Sequence, residues 1–262
     1  MRRILAVSAM ILLLICLTAC GPGNTVSGSQ EETKEMNTAE NGSEDTAETT
    51  SYDREDLSDV EINCWGDSMT EGYGSDGLTY PDVLGQLTGM TVRNLGVGGE
   101  DSREILKRSI AFGSQKEDIL VIQMGDNGGW RDIDELIRQY QKLIKKAGTD
   151  RYIIISSTDD SDDPEQIWSS ITDPAGSQTT TYEEKLVEAF GDHVFNGRLY
   201  LVEHGLEING LEETAEDRAR AREGNISLQL RNPEEDNTHL NEAGYIAMAH
   251  GVYEKGKELG YW

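Results

Sequence analysis

Between Val60 and Trp262 the chain repeats one pattern: a short apolar run, a glycine or polar break, then a longer stretch with apolar residues near helical spacing. The runs Val60–Cys64, Met90–Asn94, Ile119–Met124, Tyr152–Ser157 and Leu199–Val202 read as buried strands. Tyr80–Leu87, Ser102–Phe112, Ile133–Ala147, Tyr182–Phe190 and Asn241–Leu259 read as helices between and after them. A strand that is apolar on both sides must be covered on both sides, and helical crossovers do this when strands run parallel. The alternation therefore predicts an α/β fold, a three-layer α/β/α sandwich with a mostly parallel central sheet. In such sheets ligands sit beyond the carboxyl ends of the strands. Two polar stretches, Thr158–Thr181 and Glu203–Asn237, are too long for plain connections and predict excursions over the site or the surface.

The domain so defined, residues 60–262, is preceded by two segments of different character. Residues 1–20 begin with Arg2 and Arg3, continue as an apolar run from Ile4 to Leu17 and end in Leu17-Thr18-Ala19-Cys20, the order expected of a secretory signal. The run falls short of the roughly 20 residues needed to cross a bilayer. Small residues directly before Cys20 resemble a bacterial lipobox, which implies a thiol lipidated at Cys20 and a protein held on the outer face of the cell membrane; the alternative is an ordinary signal peptide containing a cysteine. Residues 21–59 hold 11 acidic residues against Lys34 and Arg54, with few apolar ones, and read as a disordered acidic linker.

Charge narrows the partners. The chain carries 49 acidic against 23 basic residues, a formal charge of −26, which repels nucleic acid and anionic headgroups. An uncharged or sugar-like ligand suits such a surface better. Cys16 and Cys20 belong to the signal region, so Cys64 stands alone in the domain and no disulfide forms within it. With four histidines and no cysteine pair, a structural zinc site is not expected, and the chemistry below calls for no cofactor and no metal. The run Asp159–Asp163 lacks the glycine and terminal glutamate of a calcium loop and reads as a solvated acidic segment.

Two segments far apart supply complementary chemistry. Gly66-Asp67-Ser68 follows the first apolar run, where a strand ends and leaves a serine on the turn. Asp236-Asn237-Thr238-His239 lies near the end of the chain. A serine hydroxyl attacks at neutral pH only when a base takes its proton; histidine is that base, and a carboxylate fixes its tautomer. His193, His204 and His250 read as surface or packed histidines, while Cys64 reads as a packed apolar residue.

At Glu61 to Gly74, which runs Trp-Gly-Asp-Ser-Met-Thr-Glu-Gly-Tyr-Gly at its end, the chain resembles the SGNH, or GDSL, hydrolase family. That family's other blocks follow in order. Asn94-Leu-Gly-Val-Gly-Gly-Glu-Asp-Ser102 resembles the second, in which a glycine amide joins the oxyanion hole; Gly99 takes that place, with Gly98 as the neighbouring alternative. Gly125-Asp126-Asn127-Gly128 resembles the third, whose asparagine side chain is a further oxyanion donor. Here Asn127 is present, but Gly128 replaces the aspartate that usually follows, which puts the bracing of the asparagine in question. Asp236-Asn-Thr-His239-Leu-Asn-Glu-Ala-Gly244 resembles the last block and opens the final helix.

The resemblance covers residues 60–245 and implies a Ser68-His239-Asp236 triad with an oxyanion hole made by Ser68, Gly99 and Asn127. It implies an extracellular serine esterase acting on carboxylic esters, in particular acetyl and other acyl groups on carbohydrate or cell-wall glycan. An acyltransferase of the same architecture and a non-catalytic glycan-binding lipoprotein are the alternatives. Trp65 and Trp130 flank the nucleophile and the asparagine and read equally as a stacking wall or as core.

Overall fold

The computed structural model describes residues 62–158, 171–173, 175–232 and 239–262. Five strands, β1 (Ile62–Gly66), β2 (Val92–Gly96), β3 (Ile119–Ile122), β4 (Tyr152–Ile155) and β5 (Val194–Phe195), form one sheet in the order β2-β1-β3-β4-β5. Every pairing is parallel. The described helices are α1 (Ser68–Glu71), α2 (Tyr80–Thr88), α3 (Ser102–Phe112), α4 (Ile133–Ala147), α5 (Thr181–Phe190), α6 (Gly197–Ile208), α7 (Ala215–Arg222) and α8 (Glu242–Glu258).

The period-2 alternation of strand side chains divides the core in two. Ile62, Cys64, Ile119, Val121, Ile153 and Ile155 point into a cluster closed by α2, α6 and α8. Trp65, Leu120, Ile122 and Ile154 point the other way, into a cluster closed by α3, α4 and α5. This is the three-layer α/β/α arrangement that the alternation predicts. Central strands β1 and β3 are buried throughout, whereas edge strand β2 is only partly covered. Helix starts are set locally. Thr79, Asp101, Thr180 and Thr214 each form a capping box with an acidic residue three positions on, which satisfies amides that the first turn leaves without partners.

One sequence expectation fails. Leu199–Val202 is not a strand but lies within α6. Asn196 caps that helix by accepting from the Leu199 amide at 3.1 Å, and Leu206 and Ile208 extend the apolar pattern beyond the four-residue window that suggested a strand. The fifth strand is instead Val194–Phe195, which pairs with Ile154 and Ile155 and is too short to register as a periodic signal. Within Glu203–Asn237 the described residues carry helices of their own: α6 continues to Ile208, and α7 and a 3-10 turn at Leu228–Leu230 follow.

A buried polar cluster ties the sheet to the connection after α3. Asn63 Nδ2 donates to Gln115 Oε1 and Asp118 Oδ2, both at 3.0 Å, and Trp65 Nε1 donates to Gln115 Oε1 at 2.9 Å. Trp65 is 1% exposed and packs edge-on against Phe112, so it belongs to the core and not to a substrate wall. Trp130 falls in the 3-10 turn Gly129–Asp132.

Candidate active site

The strand order reverses beside β1, and the chain leaves β1, β2 and β3 on the same edge of the sheet. Register brings those exits together: Gly66 lies opposite Gly96, and Trp65 lies opposite both Leu95 and Ile122. Ser68 follows β1, Gly98 and Gly99 follow β2, and Asn127 follows β3. A crevice at the carboxyl ends of parallel strands, next to a switch point, is where ligands bind in open α/β sheets.

Ser68 opens α1. Its predecessor Asp67 is fully buried and accepts from the Met69 amide at 3.1 Å, which fixes the turn on which the serine stands. Gly66 lets that turn sit directly on the sheet. A Cβ there would stand 2.0 Å from Thr70 Oγ1 and 2.7 Å from the Gln123 carbonyl oxygen. Ser68 Oγ and His239 Nε2 are 2.9 Å apart although 171 positions separate them in sequence. With the proton on Nδ1, the serine hydroxyl donates to Nε2, the geometry a general base needs. The ring of Tyr73 meets the His239 ring edge-on at 4.7 Å, and Tyr245 Oη donates to the Tyr73 carbonyl at 2.7 Å. Asp236, the carboxylate expected to orient His239, lies outside the described residues, as do Cys20, the signal and linker segments and the Asp159–Asp163 run.

The remaining histidines are placed elsewhere. His193 stacks on Tyr152 at 4.0 Å with Nδ1 3.0 Å from that residue's carbonyl oxygen, and His204 stands at the surface beside Glu203. Cys64 is fully buried, and loss of solvent pushes its thiol well above the ordinary range.

Val97-Gly98-Gly99-Glu100 forms a turn closed by the Glu100 amide donating to the Val97 carbonyl at 3.3 Å. Gly99 has φ +79°, the left-handed value that the third residue of a type II turn requires. Only the last amide of such a turn is used within it, and among the described residues neither the Gly98 nor the Gly99 amide donates to another backbone group outside the regular elements. A Cβ on Gly98 would stand 3.8 Å from Ser68 Cβ, which places this turn beside the nucleophile. Asn127 is exposed, and its Nδ2 donates to the Glu100 carbonyl at 3.0 Å. The strand end from which Asn127 departs is clasped by buried Tyr140 of α4, whose Oη accepts from the Met124 amide at 2.9 Å and donates to the Met124 carbonyl at 2.8 Å.

Sequence reasoning missed Arg108 and the role of Glu100. Arg108 Nε lies 2.9 and 2.7 Å from the two Glu100 carboxylate oxygens, and the guanidinium sits 5.2 Å from the centre of the Trp65 ring. A signal was present: Arg108 stands three positions after Ile105 and four before Phe112, which makes it a charged residue on the buried stripe of α3. Also unforeseen is a cleft of about 350 Å³ beside the site, lined by Arg103, Asn127, Arg131, Asp132, Glu135 and Gln139 among others. Among the described residues, no group of three or more His, Cys, Asp or Glu side chains is placed to hold a metal ion.

No family model and no curated protein matches the chain. Solved structures do. A Bacillus subtilis protein is 17% identical with a TM-score of 0.51; the alignment covers 77% of this chain and 57% of that one. A lipolytic protein of the G-D-S-L family from Desulfitobacterium hafniense is 16% identical with a TM-score of 0.48, over 75% of this chain and 99% of the other. A carbohydrate esterase family 2 enzyme from Corynascus is 15% identical with a TM-score of 0.45, over 78% of this chain and 67% of the other. In its all-parallel five-stranded sheet and flanking helices, the chain has an α/β fold, shared with the Bacillus subtilis protein.

Proposed function

We propose that this chain is a serine esterase that hydrolyses carboxylic esters through Ser68 and His239. The observation that carries the reading is the 2.9 Å approach of Ser68 Oγ to His239 Nε2 at the carboxyl edge of a parallel sheet. His239 takes the serine proton as Oγ forms its bond to the ester carbonyl carbon. The tetrahedral oxyanion is met by the amides of Ser68 and Gly99 and by the second hydrogen of the Asn127 amide. His239 then returns the proton to the departing alcohol oxygen as the C–O bond breaks, leaving an acyl-serine. Water repeats the sequence with the same base, releases the carboxylic acid and restores the hydroxyl. Asp236 is assigned to Nδ1 of His239, where it holds the tautomer.

Acyl groups on carbohydrate are the assigned substrates. The cleft next to Asn127 presents the amide, guanidinium and carboxylate groups of Asn127, Arg131, Asp132 and Gln139, planar polar groups that suit hydroxyl-bearing ligands better than an alkyl chain. The resemblance of Leu17-Thr18-Ala19-Cys20 to a lipobox supports a location on the outer face of the cell membrane, and metabolic labelling with a fatty acid that persists in Cys20→Ala would refute that reading.

The test of the activity is turnover of a short-chain aryl ester and of acetylated glycans by the wild type and by Ser68→Ala. We expect the variant to lose turnover by a factor on the order of 10⁴ or more, since nucleophile and base act as a unit. Equal rates in the two proteins would sink the proposal. Faster consumption of ester with acyl transfer to an added sugar would identify a transferase instead.

A further inference from the structure

We infer that Arg108 and Glu100 are positioning residues that hold the Gly99 turn and the Asn127 side chain in register with Ser68. The inference rests on the esterase reading above. Its starting point is Gly128, which stands where the resembled block carries an aspartate after the asparagine, and the donation of the Asn127 amide to the Glu100 carbonyl. This brace comes from a different element.

One guanidinium joins the ends of β1 and β2 to the turn after β2. Arg108 Nε reaches both oxygens of Glu100, and a terminal nitrogen lies 2.6 Å from one of them. A terminal nitrogen also donates to the Leu95 carbonyl at 3.0 Å and the Gly66 carbonyl at 3.4 Å, near the last residues of β2 and β1. The Trp65 ring backs the guanidinium, and Trp65 is itself anchored by Gln115. Glu100 then acts through its backbone: its carbonyl accepts one hydrogen of the Asn127 amide. An amide of this kind has two hydrogens in one plane, so fixing the first aims the second.

Exposed ion pairs contribute little, but this one is not of that kind. The side chains of Arg108 and Glu100 are 20% and 18% exposed, and a planar fork facing a carboxylate fixes orientation as well as distance. Without the guanidinium, Glu100 loses the cation that holds it and the turn carrying Gly99 relaxes with it. A displacement of about 1 Å at a reacting centre costs on the order of 100-fold in rate, comparable to losing an oxyanion donor outright.

The test is a cycle of full-length variants, Arg108→Met, Asn127→Ala and the double variant, assayed for kcat and KM on a short-chain aryl ester with Tm recorded for each. We expect Arg108→Met to lower kcat by about 10- to 100-fold with KM nearly unchanged. In the Asn127→Ala background the same change should cost less than a third of that factor, because one of the groups it positions is gone. An undiminished factor in both backgrounds, or a loss that appears in KM, would overturn the inference. Should Arg108→Met not fold, Glu100→Gln carries the same cycle, since it weakens the pair but keeps the carbonyl that Asn127 uses. A wild type that neither turns over ester nor is labelled at Ser68 by a fluorophosphonate would overturn the esterase reading and this inference together. An active wild type with independent losses would overturn the inference alone.

Discussion

Gly66→Ala tests how tightly the nucleophile turn is built onto the sheet. The added Cβ would stand 2.0 Å from Thr70 Oγ1 and 2.7 Å from the Gln123 carbonyl oxygen, both well inside contact distance. Neither neighbour can retreat freely. Thr70 is fully buried with its hydroxyl 3.3 Å from that of Tyr80, and Gln123 is tied to β1 through its amide, which donates to the Trp65 carbonyl at 2.9 Å. Overpacking of this sort costs about 1–3 kcal/mol, and breaking the Thr70–Tyr80 bond adds about 1 kcal/mol. For a domain of this size a loss of about 2–4 kcal/mol lowers Tm by roughly 5–15 °C. The cheapest relief moves α1 away from the sheet, so Ser68 shifts relative to His239 and kcat falls by about 100-fold. Gly85→Ala in α2 is the control: its nearest neighbour would be 3.4 Å away, and it should gain about 0.5–1 kcal/mol from helix propensity. Differential scanning calorimetry and aryl-ester kinetics on the two variants read both effects. A Gly66→Ala protein with the Tm and kcat of the wild type would refute the reasoning.

Two further outcomes concern buried charge. Arg198 and Glu183 form a bidentate pair at 2.9 and 2.8 Å with side chains 2% and 3% exposed; Arg198→Met should cost about 3–5 kcal/mol in urea denaturation, because it leaves the Glu183 carboxylate buried without its cation. A single variant within about 1 kcal/mol of wild type would show that the charge is not desolvated. At Asp217, burial pushes the carboxyl up, but hydrogen bonds from Ser227, Thr214 and Gln229 outweigh it and bring the group down to about 2. Because the folded value lies below the unfolded one, the stabilisation is complete above about pH 4 and is lost as pH falls towards 2. Asp217→Asn should therefore flatten the decline in stability over that window, and an unchanged acid slope would contradict the assignment.

The local rules of the chain were readable where they were strong. Ser102–Phe112 and Ile133–Ala147 are helices over the residues that periodicity marked, because an acidic cap begins each and a glycine follows each. The strands were found within about two residues, except where the signal was too short. Val194–Phe195 becomes a strand only because Ile154 and Ile155 offer it an edge, and Leu199–Val202 becomes a helix because Asn196 caps it and its neighbours extend the stripe. In the site, motif order nominated Ser68, Gly99, Asn127 and His239, but said nothing of Arg108, whose partners come from β1, β2 and the turn after β2.

Sequence alone determined the α/β class, most helix limits and the residue types available for acyl chemistry, since periodicity, caps and short motifs act over a few residues. Tertiary structure decided the rest. Parallel register set the ends of β1, β2 and β3 side by side, and the packing of α8 against the sheet brings His239, just before that helix, within 2.9 Å of Ser68. It also gave Asn127, without its usual neighbouring aspartate, a brace from the carbonyl of Glu100. Contacts of that kind join segments dozens of residues apart, and no local pattern encodes which of them will meet.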